Sequence, residues 1–116
     1  MHVGGLILVV EDDESIRDSL ADLLRDEGYT VATAENGKVA LQLLAKQKPC
    51  MVVLDLMMPV LDGWQVMDEM QKHADLQDIP VCVVSASTIV SPLRAVCVMP
   101  KPVNVARLLD TVEAHC

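Results

Sequence analysis

The chain has 116 residues, enough for one hydrophobic core and too few for two, so a single domain over residues 1–116 is expected. Seventeen acidic against nine basic side chains leave a net charge of −8, which disfavours direct nucleic-acid binding because that depends on clustered Lys and Arg. Apolar residues make up 52% of the chain, yet Phe is absent and Trp and Tyr occur once each, so the core must be built from Val, Leu, Ile, Met and Ala.

Leu6-Ile-Leu-Val-Val10 is a short, wholly apolar run, as expected of a strand buried on both faces of a parallel sheet, and Glu11-Asp-Asp-Glu14 ends it. Ile16, Leu20, Leu23 and Leu24 then recur at helical spacing, and Gly28 marks a C-terminal cap, which predicts a helix from Glu14 to Glu27. A second strand follows at Thr30 to Ala34. Gly37 to Lys46 carries Ala40, Leu41 and Leu44 on one face, and Pro49 separates that helix from the third strand, Met51-Val-Val-Leu54, which ends at Asp55.

Beyond Met57-Met-Pro59 and Gly63, the residues Trp64, Met67 and Met70 mark a third helix, and Val81-Cys-Val-Val84 with Ser85 a fourth strand. Val96-Cys-Val-Met99 is the fifth strand. Lys101-Pro102 and a last helix from Asn104 to Ala114 complete the chain. Only fifteen residues separate Ser85 from Lys101; Ser91 and Pro92 suit the cap and first position of one short turn, so the fourth helix is expected to be shortened or missing.

Alternating strands and helices at this length imply a doubly wound parallel sheet, whose ligands bind outside the carboxyl ends of the strands. Asp12, Asp13, Asp55, Ser85 and Lys101 all fall there. Three carboxylates about 4 Å apart repel by roughly 4 kcal/mol per pair at an effective dielectric near 20, so the group calls for a hard cation. Magnesium suits it, with Asp13 and Asp55 as direct ligands and Asp12 through water. An aspartate beside such an ion can accept a phosphoryl group, Lys101 neutralising charge on the phosphoryl oxygens and Ser85 hydrogen-bonding them. Met57, Met58, Met67 and Met70 read as core filler, since thioethers suit soft metals.

Cys50, Cys82, Cys97 and Cys116 are far apart, with no Cys-x-x-Cys pair, and read as reduced, structural thiols. No apolar stretch approaches the roughly 18 residues that span a bilayer, and Leu6 to Val10 runs into acids, not a cleavage site, which leads to the expectation of a cytoplasmic protein with no membrane partner.

Five features in order resemble the receiver domain of two-component response regulators: Asp12-Asp13, Asp55, Met57-Met-Pro59 with Gly63, Ser85-Ala86 and Lys101-Pro102. The resemblance implies a flavodoxin-like sheet of order 2-1-3-4-5 and a cis peptide before Pro102. It further implies magnesium on Asp13, Asp55 and the Met57 backbone carbonyl. By the same resemblance Asp55 takes its phosphoryl group from the phosphohistidine of a histidine kinase or histidine phosphotransfer protein, with an unnamed protein downstream. Met57 and Ser87 would tune the lifetime of the aspartyl phosphate. Such a domain turns over no separate substrate.

The sequence departs from the family at Val98, where an aromatic residue is usual three positions before the lysine. Two further functions are weighed: a receiver-shaped interaction module that no longer switches, which Val98 and the short segment favour, and a magnesium-dependent phosphatase or phosphotransferase using an aspartyl phosphate. The second expects Asp-x-Asp after the first strand and a cap insertion. Here Leu56 and Met57 follow Asp55.

Overall fold

A computed structural model describes residues 5–86 and 95–116. In chain order it contains β1 (Leu6–Val10), α1 (Glu14–Asp26), β2 (Thr30–Ala34), α2 (Gly37–Lys46), β3 (Met51–Asp55), α3 (Gly63–Gln71), β4 (Val81–Ser85), β5 (Ala95–Pro100) and α4 (Val105–His115). The five strands form one parallel sheet in the order β2-β1-β3-β4-β5, the flavodoxin-like topology expected. The stretch predicted to hold a shortened or missing helix, with Ser87, Ser91 and Pro92, lies outside the described residues; α4 is therefore the helix after β5.

The two faces of the sheet follow the period-2 alternation of strand side chains. Leu8, Val10, Val52, Leu54 and Val83 point to one side, where α2 and α3 cover them with Ala40, Leu44, Val66, Met67 and Met70. Ile7, Val9, Met51, Val53, Cys82 and Val84 point to the other, beneath Leu20 and Leu24 of α1 and Leu108 and Val112 of α4. Covering both faces explains why β1, β3 and β4 read as continuous apolar runs.

The helix ends are set by identifiable side chains and backbone groups. Asp13, Asn36, Asp62 and Asn104 each cap a helix by accepting from a backbone N–H three residues on. At the end of α1, Gly28 takes φ 97°, its N–H donates to Arg25 O at 3.0 Å and that of Tyr29 donates to Leu24 O at 3.1 Å. This paired closure needs a left-handed residue, and glycine adopts it without a Cβ clash. The peptide bond between Lys101 and Pro102 is cis, as the resemblance implied.

The cysteines depart from expectation. Cys82 and Cys97 are free, but Cys50 and Cys116 form a disulfide with Cα atoms 5.4 Å apart. They are 66 positions apart in the chain, and only the fold brings the residue before β3 beside the residue after α4. No local spacing signals such a pair.

The loop between β3 and α3 contains one strained residue. Val60 has φ 71°, and the neighbouring Leu61 N–H donates to Pro59 O at 2.8 Å, a tight three-residue turn. A β-branched residue is poorly suited to that region, where an L-residue costs about 1–2 kcal/mol. Val60 is 74% exposed and contributes little packing in return. Val60→Gly is therefore expected to raise unfolding stability by about 1 kcal/mol in urea titration; a loss of stability would show that the turn is not strained.

Candidate functional site

The carboxyl edge of the sheet gathers four charged side chains. Glu11 directly follows β1 and prolongs its ladder, its N–H donating to Ala34 O at 3.0 Å. Its carboxylate is 2% exposed; one oxygen accepts from the Asp13 N–H at 3.1 Å and the other lies 2.7 Å from Lys101 Nζ. Asp55, the last residue of β3, is also 2% exposed. Its Oδ1 accepts from the Met57 N–H at 3.1 Å, while Oδ2 lies 3.4 Å from Lys101 Nζ and has no hydrogen-bond partner among the described residues. Asp12 is exposed at the rim, and oxygens of Glu11, Asp12 and Asp55 come within 4.8 Å of one another.

Ser85 closes β4 and is 1% exposed. Its carbonyl accepts from the Lys101 N–H at 3.0 Å, which ties the strand ends together. Gly63, the first residue of α3, lets that helix sit against β3: a Cβ there would lie 2.7 Å from the Asp55 carbonyl oxygen and 2.7 Å from Leu56 Cα. The Gly63 N–H also donates to Leu56 O at 3.1 Å. Glycine at this position therefore permits a close backbone approach.

The structure brings together Asp12, Asp55 and Lys101, with Ser85 at the adjoining strand end, but not Asp13. The Asp13 carboxylate accepts from the Ile16 N–H at 3.0 Å and caps α1. Glu11 takes the place in the cluster that the sequence reading gave to Asp13. A helix starting at Glu14 takes its cap at the preceding residue, and Asp13 fills that position.

The crowding shifts the ionisation of Asp55, Asp12 and Lys101. Burial, followed by the close approach and repulsion of the Glu11 carboxylate, raises the Asp55 carboxyl to about 7, which the Met57 N–H and Lys101 only partly offset. Burial opposes ionisation of Asp12 as well, but its interactions with the neighbouring Glu11 and Asp55 carboxyls prevail and hold it below its usual range. For Lys101, burial works against the charge, and contacts with Glu11 and Asp55 outweigh it, raising the ammonium above its ordinary value. The donors are all hard oxygens, and a buried carboxylate oxygen without a hydrogen bond is available; this set fits magnesium.

The architecture defines a flavodoxin-like domain with an acidic site at its sheet edge. A family model for the response regulator receiver domain matches residues 7–113. Response regulator MprA of Mycolicibacterium vanbaalenii is 40% identical over 114 residues, covering 93% of this chain and 48% of that protein. The chain thus spans about half the length of the curated relatives it matches. Chemotaxis protein CheY4 of Vibrio cholerae superposes with a TM-score of 0.86 at 27% identity, covering 97% of this chain and 99% of that one. A sensor histidine kinase receiver domain from Pseudomonas aeruginosa, crystallised with magnesium coordinated in its active-site cleft, shares the fold at a TM-score of 0.87 and 23% identity, over 97% of each chain.

The chain belongs to the response regulator receiver domain family of two-component systems.

The Asp55 shift has a consequence for the metal-free protein. Unfolded, this carboxyl titrates near 3.8; folded, near 7, so between those values the folded state binds more protons. Its contribution to stability is full below about pH 4 and is lost as pH rises through 7. Asp55→Asn cannot ionise, so in chelator its melting temperature should exceed that of the parent by more at pH 8 than at pH 5. A difference independent of pH would contradict the shift.

Proposed function

We propose that the domain accepts a phosphoryl group on Asp55 in a magnesium-dependent reaction, the donor being the phosphohistidine of a histidine kinase or histidine phosphotransfer protein. The observation that carries this reading is Asp55 Oδ2: buried, without a hydrogen bond among the described residues, and 3.4 Å from Lys101 Nζ. Glu11, Asp12 and Asp55 supply carboxylate oxygens for the ion, and the Met57 backbone carbonyl is the further ligand suggested by the family resemblance. When bound, the ion neutralises charge on the phosphoryl oxygens.

The chain's own groups have distinct parts. An oxygen of the Asp55 carboxylate attacks phosphorus, the bond from phosphorus to the donor's histidine nitrogen breaks, and an acyl phosphate remains. The Met57 N–H fixes the carboxylate through Oδ1, leaving Oδ2 directed toward Lys101. Lys101 then pairs with the phosphoryl oxygens, and the Ser85 hydroxyl donates to them. Later attack by water on phosphorus breaks its bond to the aspartyl oxygen, releasing inorganic phosphate and returning Asp55 to the carboxylate. The domain modifies itself and turns over no separate substrate. A cytoplasmic setting fits a donor that is charged from ATP, and the output is binding to a downstream protein.

Val98 supports a second reading, an interaction module that does not switch. It is partly buried against the core beneath α2 and α3, where the family commonly carries a rotating aromatic.

Incubation with magnesium and acetyl phosphate, followed by intact mass measurement, separates the two. One added phosphoryl group, absent with chelator and absent in Asp55→Asn, is the expected result. No uptake, from acetyl phosphate or from phosphorylated kinases, would favour the non-switching module. Lys101→Ala should slow uptake on the order of 10²-fold, as removal of one charge-stabilising donor does elsewhere. Magnesium affinity should be retained or raised, since the ion competes with Lys101 for Glu11 and Asp55. Loss of magnesium binding in that variant would overturn this division of roles.

A further inference from the structure

We propose that Cys50 and Cys116 form a thiol–disulfide exchange site, open to small thiols of the glutathione class, which clamps the end of α4 to the sheet. The bridge joins the residue before β3 to the residue after α4 and closes a loop of 66 positions. Both residues are partly exposed, unlike Cys82. Cys50 is anchored through its N–H to Leu6 O at 2.8 Å, and Gly5 leaves room for its sulfur, since a Cβ on that glycine would lie 3.0 Å from Cys50 Sγ. One side of the bridge is thus rigid.

The other side is held more lightly. Of its eleven residues α4 buries only Leu108 and Val112, whereas the nine-residue α3 buries four. The cross-link adds a covalent hold where apolar packing is thin.

The other two cysteines show why this pair, and not that one, exchanges. Cys82 and Cys97 face each other in the β4–β5 register, yet both are free. Cys82 is fully buried, and burial, with Cys97 beside it, pushes its thiol well above the ordinary range. A thiol that stays protonated and inaccessible is a poor nucleophile.

The chemistry balances without other groups. A small thiolate attacks one sulfur of the bridge, the S–S bond breaks, and the departing cysteine sulfur leaves as a thiolate and takes a proton. A second small thiol attacks the resulting mixed disulfide and releases a small-molecule disulfide. Two electrons and two protons pass to the protein, and glutathione disulfide reverses the sequence.

Alkylation of the native protein followed by peptide mass analysis reads the site directly. After equilibration with glutathione disulfide, Cys50 and Cys116 should escape alkylation, and after reduction both should label, while Cys82 remains unlabelled in either state. Reduction should lower the melting temperature by roughly 10–20 °C, as expected for opening a loop of this length, and speed amide exchange in the last turns of α4. Cys116→Ser should abolish this redox dependence; Cys50→Ser serves the same purpose should the first variant fail to fold. Full labelling of both cysteines in glutathione disulfide, or a redox-dependent melting shift that persists in the serine variant, would overturn the proposal.

Discussion

Three carboxylates and one ammonium converge where β1, β3 and β5 end, and that concentration of charge sets the terms for the rest of the molecule. Glu11 and Asp55 are almost wholly removed from water, a cost the chain meets through the Lys101 contacts and the Asp13 and Met57 backbone N–H groups. Each partner is delivered by regular structure. The parallel sheet places both acids at the same edge, the Ser85 carbonyl holds the Lys101 backbone there, and the bare Cα of Gly63 lets α3 approach Asp55.

Most of the architecture could be read from the chain because its physical causes are local. Continuous apolar runs bounded by acids fix β1 and β3, helical spacing closed by Gly28 fixes α1, and Pro49 separates α2 from β3. The element β5, expected at Val96 to Met99, extends one residue further at each end, since an edge strand with one neighbour carries a weaker apolar signal than a central one.

What could not be read depended on choices that local pattern does not make. In the run Glu11-Asp12-Asp13-Glu14 every residue is acidic, so composition alone cannot say which side chains remain with the strand and which turn to the helix. The answer lies in the Glu11 bond to Ala34 and the Asp13 bond to Ile16, one a sheet contact and the other a cap. The Cys50–Cys116 bridge was hidden for a different reason: it depends on where the last helix comes to rest, a tertiary fact with no counterpart in residue spacing.

The 2.7 Å contact between Lys101 and Glu11 gives the site the character of an ion exchanger. The fixed ammonium is an internal counterion, so a divalent cation at these acids would meet carboxylates already partly neutralised and would compete with a tethered group. The affinity for such a cation would be lower than that of three unpartnered carboxylates.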